Sequence, residues 1–174
     1  SSTDQLPNRP SSVPLDPSKL FSGLVFKGFN HIDPLEFEEL VRQAFETFGF
    51  SAQLTPSTGD DGVDIVLETQ KPSKSIVQCK RYSQDQSVSP REIRELLGSM
   101  TFTGASHGYF VTTSRFTEQG RQFCRHQKIL LIDRDVLPKL FLLAERVGLN
   151  RDQYVEEMGD PDEFLFAKLD PNMK

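Results

Sequence analysis

The sequence is poor in the residues that build metal-binding and disulfide frameworks. Its 174 residues include two cysteines, three histidines and no tryptophan. Cys79 and Cys124 form no CxxC pair and have no histidine at the spacing of metal ligands. These shortages argue against a zinc site and against a disulfide framework. They predict two reduced, buried thiols, as expected for a cytoplasmic protein.

Long apolar segments are also missing. No apolar run reaches the roughly 18 residues of a membrane-spanning helix, so the sequence predicts no membrane span and no membrane partner. No signal peptide is visible. Hydrophobic residues make up 36% of the chain, and 14 phenylalanines carry much of that fraction. This composition is sufficient for one core, and the length suits one domain with additional terminal segments.

Charged side chains are distributed unevenly. The net charge is −5, which by itself argues against a nucleic-acid partner. Residues 35–70 carry one basic and eight acidic side chains, and residues 151–174 carry three basic and seven acidic ones. Residues 71–128, in contrast, carry ten basic and four acidic side chains. Because a locally basic surface is what binds phosphates, the middle of the chain is compatible with DNA binding.

Composition divides the chain into four segments. Residues 1–18 are rich in serine and proline and predict a disordered or extended arm. Residues 19–33 form a hydrophobic N-terminal extension, which is expected to pack on the domain, or on a partner protein or reader domain. Residues 34–149 are expected to form the folded domain. Residues 150–174 form an acidic tail, in which Phe164, Leu165 and Phe166 are a candidate docking point.

Periodicity and capping signals predict the elements of the folded domain. Asp33-Pro34 begins a helix that ends at Gly49, and Ser89-Pro90-Arg91-Glu92 is a capping box that begins another. Asp135 is expected to cap the last helix. The order α-β-β-β-α-β-α-β-α predicts an α/β fold with a central mixed β-sheet flanked by helices. Strands are predicted at 50–55, 63–68, 75–80, 108–113 and 129–132, and helices at 34–49, 90–100, 117–126 and 136–147.

Two predicted strands carry polar side chains in apolar surroundings. Asp64 lies between Val63 and Ile65, which are expected to be core residues, and an aspartate there is costly unless it is paired or binds a metal. Gln78 and Lys80 share one face of the next strand, because alternate side chains point the same way. On the first helix, Glu38 lies about 90° from the centre of the apolar stripe and is the acid best placed to reach the sheet.

Phosphodiester hydrolysis requires these residue types. Carboxylate and side-chain carbonyl oxygens are the ligands that Mg²⁺ prefers, so Asp64, Gln78 and Glu38 are candidate metal ligands. A bound metal polarises the phosphate and lowers the pKa of a bound water. Lys80 is the candidate for orienting or deprotonating that water. The sequence therefore predicts Mg²⁺, or Mn²⁺ as its substitute, together with a catalytic set of Glu38, Asp64, Gln78 and Lys80.

Five short motifs follow one another along the chain: PLEFEELV at residues 34–41, GDDGVD at 59–64, VQCKR at 77–81, IRELLG at 93–98 and FVTTSRFT at 110–117. In this order they resemble the Mrr-type catalytic domain of the PD-(D/E)XK, restriction-endonuclease-like superfamily. The resemblance covers residues 34–143 and implies that fold, with metal-dependent cleavage of DNA. It also implies roles for single residues. Asp64 resembles the main metal-binding aspartate, Lys80 the catalytic lysine and Glu38 the helix-borne acid. Gln78 stands where most of the superfamily has glutamate, as is usual in the Mrr branch.

Further residues are candidates for contact with nucleic acid. Arg81 ends the third strand, and Arg91 and Arg94 lie on the exposed side of their helix. Thr113 and Arg115 lie between a strand and a helix, where amides and hydroxyls can hold a phosphate. For Arg91 and Arg94, pairing with neighbouring glutamates is an equal alternative. Asp60 and Asp61, beside Gly62, are interpreted as turn formers.

These patterns predict a metal-dependent endonuclease that hydrolyses DNA phosphodiester bonds, of restriction or defence type. Two alternatives stay open. One is a non-catalytic nucleic-acid-binding or assembly module with the same fold, which the hydrophobic extension and the acidic tail suggest. The other is a structure-selective nuclease, such as a junction resolvase, or an RNA nuclease that uses the same residues. DNA is the expected partner, and a homodimer is compatible with the fold, although no dimer surface can be identified from the sequence.

Overall fold

The computed structural model describes residues 28–29, 31–56 and 62–171. The predicted arm at 1–18, residues 19–27 of the hydrophobic extension, and Asp60 and Asp61 lie outside these ranges. None of the described helices is both long enough and apolar enough to cross a membrane. The helices are α1 (Pro34–Thr47), α2 (Pro90–Thr103), α3 (Glu118–Cys124), α4 (Leu137–Leu149), α5 (Arg151–Met158) and α6 (Pro161–Leu169). The strands are β1 (Ser51–Leu54), β2 (Ile65–Glu68), β3 (Lys74–Lys80), β4 (Ser87–Val88), β5 (His107–Thr112), β6 (Arg115–Phe116) and β7 (Ile129–Ile132).

The larger sheet is mixed and has the order β1-β2-β3-β5-β7. Strands β1, β2 and β3 are antiparallel neighbours, whereas β5 runs parallel to β3 and β7 parallel to β5. The register pairs Val77 of β3 with Ile65 of β2 and with Tyr109 of β5. The predicted α/β fold, a central mixed sheet flanked by helices, is confirmed. The predicted ends of these five strands differ from the observed ones by at most two residues.

Helix α1 begins where its sequence signals place it. The Asp33 side chain caps the helix by accepting a hydrogen bond from the Leu35 amide at 2.9 Å, and Pro34 occupies the first turn. The helix stops before Gly49, whose φ of 95° lies in the left-handed region that only glycine adopts readily. Its apolar stripe is buried against the sheet and consists of Phe37, Leu40, Val41, Ala44 and Phe45.

Hydrophobic side chains cover both faces of the sheet. One cluster packs α1, α4 and α6 against the face that carries Val77 and Cys79. The other packs α2 and α3 against the face that carries Ile76 and Phe110. Neighbouring residues of β3 therefore enter different clusters, as expected for a strand covered on both sides. Gln78 follows Ile76 by two residues and so belongs to the face of α2 and α3.

A second, two-stranded sheet has no counterpart among the predicted elements. It pairs β4 with β6 in parallel, joining Ser87 to Arg115 and Val88 to Phe116. Strands of two residues are too short to produce an alternating pattern, which is why the sequence gives no signal for them. Val88 and Phe116 are buried in the cluster beneath α2 and α3. This small sheet therefore fixes the first turn of α2 beside the segment that follows β5.

The capping of α4 corrects one prediction. Asp135 does not cap this helix; the turn before it is held by Asp133, which is 3% exposed. The Asp133 Oδ1 atom accepts hydrogen bonds from the amides of Asp135 at 2.9 Å and Val136 at 3.0 Å. Its Oδ2 atom accepts one from Arg121 Nη2 at 2.6 Å. Because Asp133 directly follows the buried strand β7, its carboxylate is the one that reaches the amides of the turn.

The acidic tail contains two helices, and α6 packs on the domain. Asp160 caps α6 by accepting from the amides of Asp162 and Glu163, ahead of Pro161 in the first turn. The apolar residues proposed as a docking point lie against the chain's own core, with Phe164 and Leu165 buried. Of the described residues of the hydrophobic extension, Phe29 stacks on Phe141 of α4, with ring centroids 5.4 Å apart.

Asp162 fixes α6 to the beginnings of β3 and β5. Its side chain is buried and accepts hydrogen bonds from the Tyr109 hydroxyl at 2.5 Å and the Ser75 hydroxyl at 2.9 Å. Burial, followed by this carboxylate, raises the pKa of Tyr109 well above its usual value. Ser75 and Lys80 are five residues apart on β3, or about 17 Å at the rise of a strand. The contact with α6 is therefore at the opposite end of β3 from Lys80.

The Asp162 contacts predict a large loss of stability on truncation. Asp162→Ala leaves the buried hydroxyls of Tyr109 and Ser75 without their acceptor, so we expect the free energy of unfolding to fall by about 2–4 kcal/mol. Asp85→Ala, in an exposed turn, is the matched control and should change it by less than about 0.5 kcal/mol. Urea unfolding of the two variants measures both values. Equal midpoints would show that the Asp162 hydrogen bonds contribute nothing.

Candidate active site

Glu38 and Asp64 bring two carboxyl groups together at the junction of α1 and the sheet. Glu38 is partly buried, and its carboxyl group shares a hydrogen bond with that of Asp64. Burial is the main reason that the pKa of Glu38 rises to about 7, and the negative charge of Asp64 adds to the effect. When Glu38 is protonated, which is about half the time near neutral pH, it donates this hydrogen bond. A pair of this kind holds one proton that a cation can replace.

Asp64 immediately precedes β2 and is held there by backbone contacts. Its Oδ2 atom accepts a hydrogen bond from the Cys79 amide at 2.6 Å, which orients the carboxylate across β3. Burial raises the pKa of Asp64 against the opposing effects of the Cys79 amide and the positive charge of Lys80. The Asp64 carbonyl accepts from the Thr55 amide at 2.9 Å. Asp64 is thus held on both sides of β2, through its side chain by β3 and through its backbone by the residue that follows β1.

The surroundings of Asp64 differ from those expected of a strand interior. Ile65 is buried in the cluster beneath α1, but Val63 is only partly buried and packs on the cluster of the opposite face. The expectation that Val63 and Ile65 share one core face is therefore wrong. The alternation fails because the strand begins at Ile65, and residues 62–64 are not part of it. Asp64 consequently has access to the side chain of Glu38 at the end of the strand.

Gln78 provides a buried side-chain carbonyl. The residue is 2% exposed, and its Oε1 atom has no hydrogen-bond partner among the described residues. An unpartnered buried carbonyl of this kind costs about 1–3 kcal/mol, and within the described residues this one is available to a ligand. Gly62 lies directly against the amide. A Cβ atom at position 62 would lie 3.2 Å from Gln78 Nε2, and its φ of +64° also favours glycine.

Lys80 is the last residue of β3, and its backbone is hydrogen-bonded to the last residue of β5 and to the residue after β5. The Lys80 carbonyl accepts hydrogen bonds from Thr112 Oγ1 at 2.8 Å and from the Thr113 amide at 3.3 Å. Its ammonium group is close enough to Asp64 to lower that residue's pKa. Of the four residues predicted from the sequence, Glu38 belongs to α1, Asp64 directly precedes β2, and Gln78 and Lys80 belong to β3. The contacts of Asp64 connect it to Glu38, to Lys80 and to the amide of Cys79, which follows Gln78.

This donor set fits a divalent cation. Two neighbouring carboxyl groups and one unpartnered carbonyl are the oxygen ligands that Mg²⁺ and Mn²⁺ accept. No three His, Cys, Asp or Glu side chains cluster as a metal-binding group in the described part of the chain. A cation at Glu38 and Asp64 would therefore need neutral oxygens as further ligands, from water or from a side chain such as Gln78, which precedes the Cys79 amide that binds Asp64.

The candidate DNA contacts lie around the same end of the sheet, with one correction. Arg81, Arg91, Arg94 and Arg115 are exposed, although Arg91 lies 3.5 Å from Glu95 and Arg94 packs over the Phe123 ring. Thr113, in contrast, is 4% exposed. Its hydroxyl donates to the Tyr82 carbonyl at 2.8 Å. This side chain ties the segment after β5 to the segment after β3 and is not presented to a phosphate.

For three residues around the site, Tyr82, Ser114 and Gly62, the sequence does not reveal the contacts that they make. The Tyr82 hydroxyl donates to Glu92, and Ser114 donates to the Gln86 carbonyl, so the segments after β3 and β5 are tied to the start of α2. Gly62 shapes the space around Gln78. The Gly59–Asp64 motif contains Gly62, but a turn explains a glycine there equally well, and only the structure reveals the contact with Gln78.

Gly62 provides a test of how the Gln78 amide is positioned. Gly62→Ala and Gly104→Ala both place an alanine at positive φ, +64° and +70° respectively, but only position 62 has an atom within 4 Å of the added Cβ. Both variants should lose about 1 kcal/mol of stability from backbone strain. Only Gly62→Ala should also weaken Mg²⁺ binding, measured by calorimetry, because the added methyl displaces the amide. Equal Mg²⁺ affinities would contradict this positioning role.

Comparison with known proteins places this geometry in a family. Residues 29–141 match the family model Mrr_cat, described as a restriction endonuclease. The chain is similar to the type IV methyl-directed restriction enzyme EcoKMrr of Escherichia coli, with 29% identity over 134 residues, covering 72% of this chain and 43% of that protein. In sequence it spans less than half of that relative.

Two solved structures share the fold. The DNA modification-dependent restriction endonuclease AspBHI superposes with a TM-score of 0.53 and 17% identity, over 90% of this chain and 44% of that one. The MspJI restriction endonuclease, solved in complex with a 27-mer oligonucleotide, superposes with a TM-score of 0.50 and 22% identity, over 93% of this chain and 37% of that one. At these identities the likeness establishes the fold alone.

Proposed function

The chain belongs to the Mrr_cat family of restriction endonucleases, and from this premise we propose that it is a metal-dependent endonuclease that hydrolyses DNA phosphodiester bonds in defence. The proposal rests mainly on the Glu38–Asp64 carboxyl pair, with Lys80 close enough to lower the pKa of Asp64 and with the buried Gln78 one residue from the Cys79 amide that binds Asp64. These groups supply oxygen ligands for a cation and a positive charge for the attacked phosphate.

Each residue has a separate task in the proposed reaction. Asp64, Gln78 and Glu38 would hold Mg²⁺, which when bound supplies Lewis acidity to the phosphate and acidifies water. The Cys79 amide keeps the Asp64 carboxylate in one orientation. Glu38 releases its shared proton when the pair binds a cation, because a ligand oxygen must be deprotonated. Lys80 orients the attacking water and stabilises the negative charge that develops on the phosphoryl oxygens.

The surrounding charge supports DNA as the substrate. Arg81, Arg91 and Arg115 are exposed on segments that the Thr113 and Ser114 hydrogen bonds tie together at the end of β3. Arginines on a rigid frame can contact phosphates on either side of a cleavage position. EcoKMrr is a methyl-directed enzyme and AspBHI a DNA modification-dependent one. Preference for modified DNA is a property of those longer proteins and is not part of this proposal.

Nicking of supercoiled plasmid tests the catalytic residues. Asp64→Asn and Lys80→Met should each slow Mg²⁺-dependent nicking at least about 100-fold. The first removes a negative charge that would hold the metal, and the second removes the positive charge that would act on the phosphate. The matched controls are Glu68→Gln and Lys74→Met. These two residues are register partners at the far ends of the same strands and should be neutral. Full activity of Asp64→Asn would remove the proposal, as would nicking by the wild type that persists in EDTA.

Thermal unfolding with and without Mg²⁺ tests the Gln78 carbonyl independently of cleavage. Mg²⁺ at 100 times its dissociation constant should stabilise the wild type by about 2.7 kcal/mol. Gln78→Met keeps the side-chain volume and removes an unpartnered carbonyl, so stability without Mg²⁺ should change by less than about 1.5 kcal/mol. The stabilisation by Mg²⁺ should be lost.

Gln43→Met is the control for this experiment. Gln43 Oε1 is also buried and unpartnered within the described residues, but the Gln43 amide donates to Glu39. This variant should keep the full Mg²⁺ effect. Wild type that neither gains stability from Mg²⁺ nor cleaves duplex, branched or RNA substrates would favour a non-catalytic module with this fold.

A further inference from the structure

A groove between α4 and α6 is lined by cations and by leucines. It has a volume of about 280 Å³, and its apolar floor consists of Leu142, Leu143 and Leu169. The charged residues that line it are all exposed cations: Lys139, Arg146 and Lys168. None of these three side chains takes part in a salt bridge within the described part of the chain. The groove therefore presents a cluster of positive charge, which favours an anionic occupant.

One end of the α4–α6 groove lies near the catalytic end of the sheet, where Lys80 is found. Strands β3, β5 and β7 are parallel, so all three finish at this end. The segment after β7 is held there, because the Arg134 amide donates to the Ser114 carbonyl at 3.0 Å. Helix α4 begins three residues later, at Leu137, which places Lys139 in its first turn. Since β7 is two strand spacings, or about 10 Å, from β3, the groove begins beside the proposed active site.

The three cations form a row that leads away from the catalytic end. Lys139 and Arg146 are about two helical turns apart, so they lie on one side of α4 at a separation of about 10 Å along its axis. Lys168 contributes from α6 and lies 5.7 Å from the centroid of the Phe164 ring, which helps to hold its ammonium group in place. One strand of B-DNA has a phosphate about every 3.4 Å along the helix axis, so a row of this length matches about three phosphates.

Helix α1, which covers the same face of the sheet as α4 and α6, has the opposite charge. Residues 35–70, which include α1, contain one basic side chain, Arg42, and eight acidic ones. Arg42 is already paired, with Glu39 at 2.6 Å and with Glu46 at 2.9 Å. A polyanion at the catalytic end is therefore repelled on the side of α1 and attracted on the side of α4.

We propose that DNA bound at the catalytic end continues onto the α4–α6 groove, where Lys139, Arg146 and Lys168 contact its phosphates. This inference rests on the proposed function, because it takes DNA to be the ligand of the catalytic end. DNA is favoured over an acidic protein segment because the groove is continuous with that end. Arg146 and Lys168 lie beyond residue 141, where the family match ends. Phosphate contacts of this kind position the duplex and do not read its sequence.

Fluorescence anisotropy of a labelled DNA duplex over a salt series tests the groove, with EDTA present to prevent metal-dependent cleavage. The groove variant carries Lys139→Met and Arg146→Met together. Its dissociation constant should rise at least about tenfold at low salt, and the slope of log K against log[salt] should become shallower by about 1.8, or about 0.9 for each lost contact. The control variant, Arg125→Met with Lys128→Met, loses the same charge from exposed positions before β7, at the far end of that strand. It should keep the wild-type slope.

Plasmid nicking with Mg²⁺ separates DNA binding from chemistry. The groove variant keeps all four proposed catalytic residues, so its nicking rate at saturating protein should equal that of the wild type. The protein concentration that gives half of this rate should rise in proportion to the dissociation constant. Urea unfolding with an unchanged midpoint shows that the variant is folded.

The possible outcomes distinguish this inference from the proposed function. A groove variant with the wild-type salt slope would overturn the inference and leave the nuclease in place. A wild type that neither binds nor cleaves DNA would overturn both. Poly-glutamate is the probe for an acidic protein segment. If it binds the wild type without competing with DNA, and does not bind the groove variant, the groove belongs to such a segment and the inference is wrong.

Discussion

Strand β3 is hydrogen-bonded to a neighbour on each edge and covered by helices on each face, and the rest of the structure depends on it. Its antiparallel pairing with β2 brings the start of β2, with Asp64, to the end of β3. Its parallel pairing with β5 brings the ends of both strands to the same edge of the sheet. Because one neighbour runs in each direction, the acidic and the basic groups of the site meet at one place.

The buried polar groups at the two ends of β3 differ in whether protein groups satisfy them. At its beginning, the buried carboxylate of Asp162 is satisfied by the hydroxyls of Tyr109 and Ser75. At its end, Glu38 and Asp64 share a proton and Gln78 Oε1 has no partner among the described residues. Satisfied buried groups stabilise a fold, whereas unsatisfied ones cost stability. The carboxylate of Asp162 is thus satisfied by protein groups, whereas Glu38 and Asp64 are the candidates for binding a cation.

Sequence periodicity was sufficient to predict the large elements, because α1 and the strands of the main sheet bury regular apolar patterns. Sequence patterns also put forward Glu38, Asp64, Gln78 and Lys80 as site residues, a role that stays a prediction; the structure brings Glu38 and Lys80 to Asp64. The two-residue strands β4 and β6 carry no pattern, and Thr113 could not be recognised as buried because its burial depends on a hydrogen bond to Tyr82. Helix α6 begins with the aspartate-proline capping signal Asp160-Pro161, like that of α1. The acidic composition of the tail obscured it.

Gln78 matters for the charge balance of the site. Burial and Asp64 already raise the pKa of Glu38 to about 7, so a third carboxylate at position 78 would add repulsion to a pair that is half protonated near neutral pH. A buried amide supplies an oxygen without this repulsion. It also removes one negative charge that would attract a cation. In the proposed site, cation affinity would then depend more on the fixed geometry of Asp64, Gln78 and Gly62 than on total charge, because neutral ligands bind well only when they are held in place.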